Sequence, residues 1–113
     1  MLTIYHNPRC SKSRQTLELL KENSTKELNI VEYLKEPISQ EVIEQLLLQL
    51  SCSPLEMMRV KEVEFKEQNL KGADDKTLIS AMVATPKLIE RPIVSDGNKA
   101  IIGRPPTNVL ILC

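Results

Sequence analysis

The residues best equipped for chemistry lie in one stretch near the start of the chain, His6-Asn7-Pro8-Arg9-Cys10-Ser11-Lys12-Ser13-Arg14. A thiol sits there among cations. Thiols react as thiolates, and positive charge or a helix N-terminus lowers a free-thiol pKa of about 8.5. Cys10 is therefore expected to be a nucleophile at neutral pH. Burial as a small hydrophobe is the usual fate of a free cysteine, but the polar and cationic neighbours of Cys10 argue against it. His6 reads equally well as a loop residue or as a group that polarises the thiol.

Three arginines complete the set. Arginine is half as common as lysine in this chain, so the placement of Arg59, Arg91 and Arg104 carries information. Arg91 immediately precedes Pro92, and Arg104 stands between Gly103 and Pro105. A guanidinium can donate two hydrogen bonds to two oxygens of a tetrahedral oxyanion, where lysine offers a point charge. Such groups reduce the repulsion between a thiolate and an anionic substrate, and helix N–H groups can hold the remaining oxygens. Ser11, Lys12, Ser13 and Arg14 are expected to complete this oxyanion cradle. Each arginine taken alone reads as a surface side chain; the joint placement favours one site.

The neighbouring elements must position these groups. Leu2, Ile4 and Tyr5 form a short strand. Pro8 forbids helix at Asn7, so the first helix begins near Cys10 or Ser11. Leu17 and Leu20 recur at helical spacing with Ser13 and Thr16 on the same side, while Lys12, Glu18, Lys21 and Glu22 face solvent. The N–H groups of the first turn and the positive end of the helix dipole then favour a Cys10 thiolate.

The chain has 113 residues, which predicts a single domain over 1–113 with one modest core. Fifteen basic and fifteen acidic residues cancel, so no global field recruits nucleic acid or an anionic membrane. There is no bilayer-spanning run and no signal-peptide pattern, which predicts a cytoplasmic protein, expected as a monomer. Three cysteines and a single histidine fit neither a disulfide framework nor a metal site.

Further along, residues 28–33 read as a second strand, parallel to the first because a helix intervenes. Ser39 caps a helix with the stripe Val42, Ile43, Leu46, Leu47 and Leu50. Ser53-Pro54-Leu55-Glu56 reads as a capping box that starts another short helix carrying Met57, Met58 and Arg59. The charged stretch 61–71 reads as a solvated connection anchored by Phe65 and Leu70. Asp74 and Asp75 begin a helix with Leu78, Ile79, Met82 and Val83, ended by Thr85-Pro86. Residues 92–95 and 99–102 read as a hairpin around Asp96-Gly97-Asn98, and 109–112 as a short closing helix.

This order predicts an α/β fold, a four-stranded mixed sheet with helices on both faces and a helical insertion over about 39–85, in the thioredoxin-like arrangement. That arrangement places Arg91-Pro92 where the fold keeps a cis proline, so a cis bond is expected there.

The blocks 5–14, Met58-Arg59-Val60-Lys61-Glu62, 86–94 and Gly103-Arg104-Pro105-Pro106 closely resemble the glutaredoxin-linked arsenate reductase family, in its order and over almost the whole chain. The resemblance implies that Cys10 attacks arsenate, that His6 helps lower its pKa, and that Arg59, Arg91 and Arg104 bind the oxyanion. The implied cycle forms a Cys10-arsenate thioester, uses glutathione as co-substrate with no bound cofactor, and clears the mixed disulfide with glutaredoxin. The family also contains reductase-like members acting on other substrates and the related Spx-type regulators of RNA polymerase. Ser13 makes the motif Cys-x-x-Ser, with no adjacent resolving thiol, which favours an external thiol over an Spx-like switch. Cys113 is an alternative intramolecular thiol, and the tail lacks the family's longer C-terminal extension.

Overall fold

A computed structural model describes all residues from Met1 to Cys113. The chain forms two compact units, residues 1–36 with 91–113, and residues 37–90.

The first unit is built on a four-stranded sheet in the order β2-β1-β3-β4, with β1 at Leu2–Tyr5, β2 at Leu28–Val31, β3 at Ile93–Ser95 and β4 at Ala100–Ile102. β1 pairs parallel to β2 through α1, Ser11–Asn23, and antiparallel to β3, and β3 pairs antiparallel to β4, so the sheet is mixed as expected. β2 is shorter than its apolar pattern, because Glu32 O accepts from Lys35 N and Glu36 N and starts a turn at once. Tyr33 is still fully buried. Leu2, Ile4 and Val94 from one sheet face meet Leu20 of α1 and Val109 and Leu112 of the closing helix, a 3-10 helix over Pro106–Leu112. Fully burying one such side chain is worth about 1.5–3 kcal/mol. The β3–β4 turn is held by Asp96 Oδ1, which accepts from Asn98 N and Lys99 N at 2.8 Å each, with Gly97 at φ 98°.

The Arg91–Pro92 bond is cis, as expected from the sequence, and Arg104–Pro105 is cis as well. Gly103 lies where α1 approaches the end of β4. A Cβ built there would sit 2.8 Å from Thr16 Oγ1 and 3.0 Å from Pro92 Cγ. Thr16 cannot yield easily, since it is fully buried and donates from Oγ1 to Lys12 O at 2.8 Å. Gly103→Ala is accordingly expected to cost about 1–3 kcal/mol by overpacking, read as a lowered urea midpoint with unchanged slope; an unchanged midpoint would show that α1 is free to shift.

The second unit pairs α2, Gln40–Leu50, with α4, Asp75–Ala84. Ser39 Oγ and Asp74 Oδ1 cap them by accepting from Val42 N and Thr77 N, and Ile43, Leu46, Leu78 and Met82 are buried. Two expectations change here. The capping box forms, with Ser53 N donating to Glu56 Oε1 at 3.1 Å, but the helix it starts is a single 3-10 turn, Leu55–Met57. Met58 instead bridges antiparallel to Ile89, and Arg59 N donates to Leu88 O at 2.7 Å, so Arg59 is not helical. The stretch 61–71 contains a short helix, α3 at Val63–Glu67, which turns Phe65 inward; Phe65 and Leu70 are buried anchors as expected.

Candidate active site

The loop between β1 and α1 is closed by its own polar groups. Asn7 O accepts from Cys10 N at 3.0 Å, and Asn7 Oδ1 accepts from Arg9 N at 3.0 Å. Arg14 Nη1 donates to Pro8 O at 3.0 Å. Cys10 is the N-cap of α1 and its carbonyl accepts from Arg14 N. These bonds hold the half-buried thiol over the open end of the helix.

The Cys10 side chain makes no cap hydrogen bond, yet its surroundings favour the thiolate. Burial works to raise the Cys10 pKa, but the N–H of Ser13, the Arg91 guanidinium and the N–H of Lys12 all aim at Sγ, and together with the charge of Arg91 they bring it below the ordinary thiol value. We expect the rate of iodoacetamide alkylation at Cys10 to inflect below about pH 8.5; an inflection at or above it would remove the physical basis for a nucleophilic role.

Arg91 is half-buried, and its Nε is buried with no hydrogen-bond partner. The guanidinium thus stands near enough to the thiol to favour its thiolate, while its Nε has no partner. Arg104 lies just beyond β4 in the same unit, with an exposed side chain. Arg59 belongs to the second unit. Its Nε donates to Glu62 Oε1 at 2.9 Å and its Nη1 lies 3.7 Å from Glu90 Oε1, while Lys87 lies 3.7 Å from Glu62 and 3.4 Å from Glu64. These acids escaped the sequence reading, although the i, i+3 spacing of Arg59 and Glu62 was a usable signal.

His6 reaches the loop through Ser13. Its Nδ1 is 2.7 Å from Ser13 Oγ, which also accepts from Asn7 N at 3.0 Å. Since the hydroxyl has one proton to give, a ring neutral at Nδ1 completes the set. Burial lowers the His6 pKa in the same sense; Glu32 opposes this, and Lys21 and Arg14 add to it. Ser13 therefore spends its side chain inside the loop and presents its N–H to the thiol. Arg14 is engaged with Pro8, while Ser11 and Lys12 are exposed.

Cys52 and Cys113 are free. Burial, with Glu56 beside it, pushes the Cys52 thiol up, the opposite of Cys10. No three His, Cys, Asp or Glu side chains cluster to hold a metal ion, and no helix is long and apolar enough to cross a membrane.

A mixed four-stranded α/β sheet with a thiol favoured as thiolate in its first strand-to-helix turn defines a thioredoxin-like thiol protein. The chain belongs to the ArsC family, whose model matches residues 5–112. Uncharacterized protein YfgD of Escherichia coli K12 is 53% identical over 110 residues, covering 95% of this chain and 92% of its own. An arsenate reductase of Haemophilus influenzae is 44% identical over 110 residues, covering 95% and 94%. The solved structure of arsenate reductase from Vibrio cholerae superposes with a TM-score of 0.92 at 45% identity, covering 99% of this chain and 97% of that one.

Proposed function

We propose that this protein is a cytoplasmic, thiol-dependent arsenate reductase. The observation that carries the reading is a Cys10 thiol favoured as thiolate by the Ser13 and Lys12 N–H groups and by Arg91, whose Nε remains unpartnered. The Haemophilus and Vibrio relatives support arsenate as the oxyanion.

In the first step the Cys10 thiolate attacks arsenic; a sulfur–arsenic bond forms, and one arsenic–oxygen bond breaks, its oxygen leaving as water after taking up protons. Arg91, Arg104 and Arg59 are assigned to the oxyanion. The Ser13 and Lys12 N–H groups stabilise the charge at the nucleophile. Glutathione thiolate then attacks Cys10 Sγ, a sulfur–sulfur bond forms, and the sulfur–arsenic electron pair passes to arsenic. Arsenic falls from the +5 to the +3 state and leaves as arsenite, and the two thiols lose the two electrons it gains. Glutaredoxin takes the glutathionyl sulfur from Cys10 by thiol exchange and restores the enzyme. His6 acts by fixing Ser13.

The test is NADPH consumption in the presence of arsenate, glutathione, glutaredoxin and glutathione reductase. Turnover that requires both arsenate and Cys10 is expected; a reactive Cys10 without arsenate turnover would point to another substrate.

A further inference from the structure

Arg59 stands in a cluster that holds more acid than base. Within residues 37–90, its Nε donates to Glu62 Oε1 at 2.9 Å and its Nη1 lies 3.7 Å from Glu90 Oε1. Lys87 Nζ lies 3.7 Å from Glu62 Oε2 and 3.4 Å from Glu64 Oε2. Three carboxylates thus surround two cations. Carboxylates weaken the field of an arginine, so charge alone does not account for their place beside one that is assigned to an anion.

The backbone fixes these partners. Met58 bridges antiparallel to Ile89, with Arg59 N donating to Leu88 O at 2.7 Å and Glu90 N to Met57 O at 2.8 Å, so Arg59 and Glu90 flank the bridge. Glu62 N donates to Arg59 O at 3.2 Å, a turn that brings Glu62 back to Arg59. The side chains of Arg59 and Glu62 are only 21% and 18% exposed. A pair so shielded is screened less by salt than a surface pair and keeps its geometry better.

The part of the guanidinium that each acid takes decides its role. Nε is committed to Glu62 by the one hydrogen bond of the Arg59 side chain. Nη1 stands beyond hydrogen-bond distance of Glu90. The outer edge, formed by Nη1 and Nη2, therefore keeps its donors for two oxygens of an incoming oxyanion. We infer that Glu62 is a positioning residue, which anchors Arg59 by Nε so that this edge is oriented before the oxyanion arrives, and that Glu90 is a counter-charge beside the edge. Ordering a long side chain in advance removes that cost from binding. The inference rests on the reading of Arg59 as an oxyanion ligand.

The two acids should act with opposite sign. Arsenate is titrated calorimetrically into the full chain carrying Cys10→Ser, which binds without reacting. Glu62→Ala should raise the arsenate Kd about two- to tenfold, the cost of ordering one side chain on binding. Glu62→Gln keeps an acceptor for Nε and should stay close to the parent. Glu90→Gln should lower the Kd about twofold or more. Glu62→Met fills the space without an acceptor and replaces Glu62→Ala if that protein melts early. With Cys10 intact, KM for arsenate should follow the same order while KM for glutathione and the pH profile of Cys10 alkylation stay unchanged. Tighter binding by both Glu62→Ala and Glu62→Gln would make Glu62 a counter-charge and overturn its positioning role. Arg59→Ala separates the two readings. Weakened binding with Arg59→Ala but parent-like binding with Glu62→Ala overturns the anchor and leaves Arg59 on the oxyanion; parent-like binding with both removes Arg59 from the oxyanion and the inference with it.

Discussion

Cys10→Ser should reduce arsenate-dependent turnover to background while the protein stays folded. The replacement keeps the shape of the side chain and removes the group that ionises near neutral pH, so the sulfur–arsenic bond of the first step has no nucleophile. Stability should not suffer. Serine is a favoured N-cap residue, and the backbone bonds of the loop, Cys10 N to Asn7 O and Arg14 N to Cys10 O, do not involve sulfur. Melting temperature and arsenate turnover measured on one preparation check this. Residual turnover well above background would move the chemistry to Cys52 or Cys113.

Arg91→Lys should lower arsenate-dependent kcat/KM about ten- to a hundredfold. Lysine keeps the positive charge beside Cys10 but lacks the fork that the proposed function assigns to both the thiol and a substrate oxygen. A hydrogen bond to a charged group is worth about 1.5–3 kcal/mol, which sets the range. The pH dependence of alkylation separates the two roles. Since Arg91 helps hold the Cys10 pKa down, its loss to alanine should move the inflection upward, and lysine should restore part of that shift without restoring the rate. If the lysine protein matches the parent in rate, Arg91 acts as a charge and its fork has no part in substrate recognition.

The residues that read most clearly in the sequence were those whose structure is set by near neighbours. Pro8 fixed the start of α1, Asp96-Gly97 fixed the hairpin, and Ser39 and Asp74 capped the helices expected of them. Features set by distant partners did not read. The 3-10 turn after Ser53 stops because Met58 pairs with Ile89, and nothing near Met58 announces that bridge. α3 is too short for periodicity to register, although its one buried residue, Phe65, was visible by type. At the site, the Cys10 thiol in its cationic turn and the Arg91 beside it were legible from residue type and position. The contact of Ser13 Oγ with His6, the clamp of Glu62 and Glu90 on Arg59, and the spare Nε of Arg91 were not. Each depends on a side-chain direction that spacing does not encode.

The unit that holds the thiol is assembled from both ends of the chain, residues 1–36 and 91–113, with β1 between β2 and β3. On the ribosome Cys10 emerges early, and Arg91 follows only after the whole 37–90 unit has been made. Non-local contacts of this kind form late. Until they do, Cys10 lacks the guanidinium that helps hold it as a thiolate, and β1 lacks its neighbour β3. The groups that favour the Cys10 thiolate are therefore complete only once the C-terminal segment has docked beside β1.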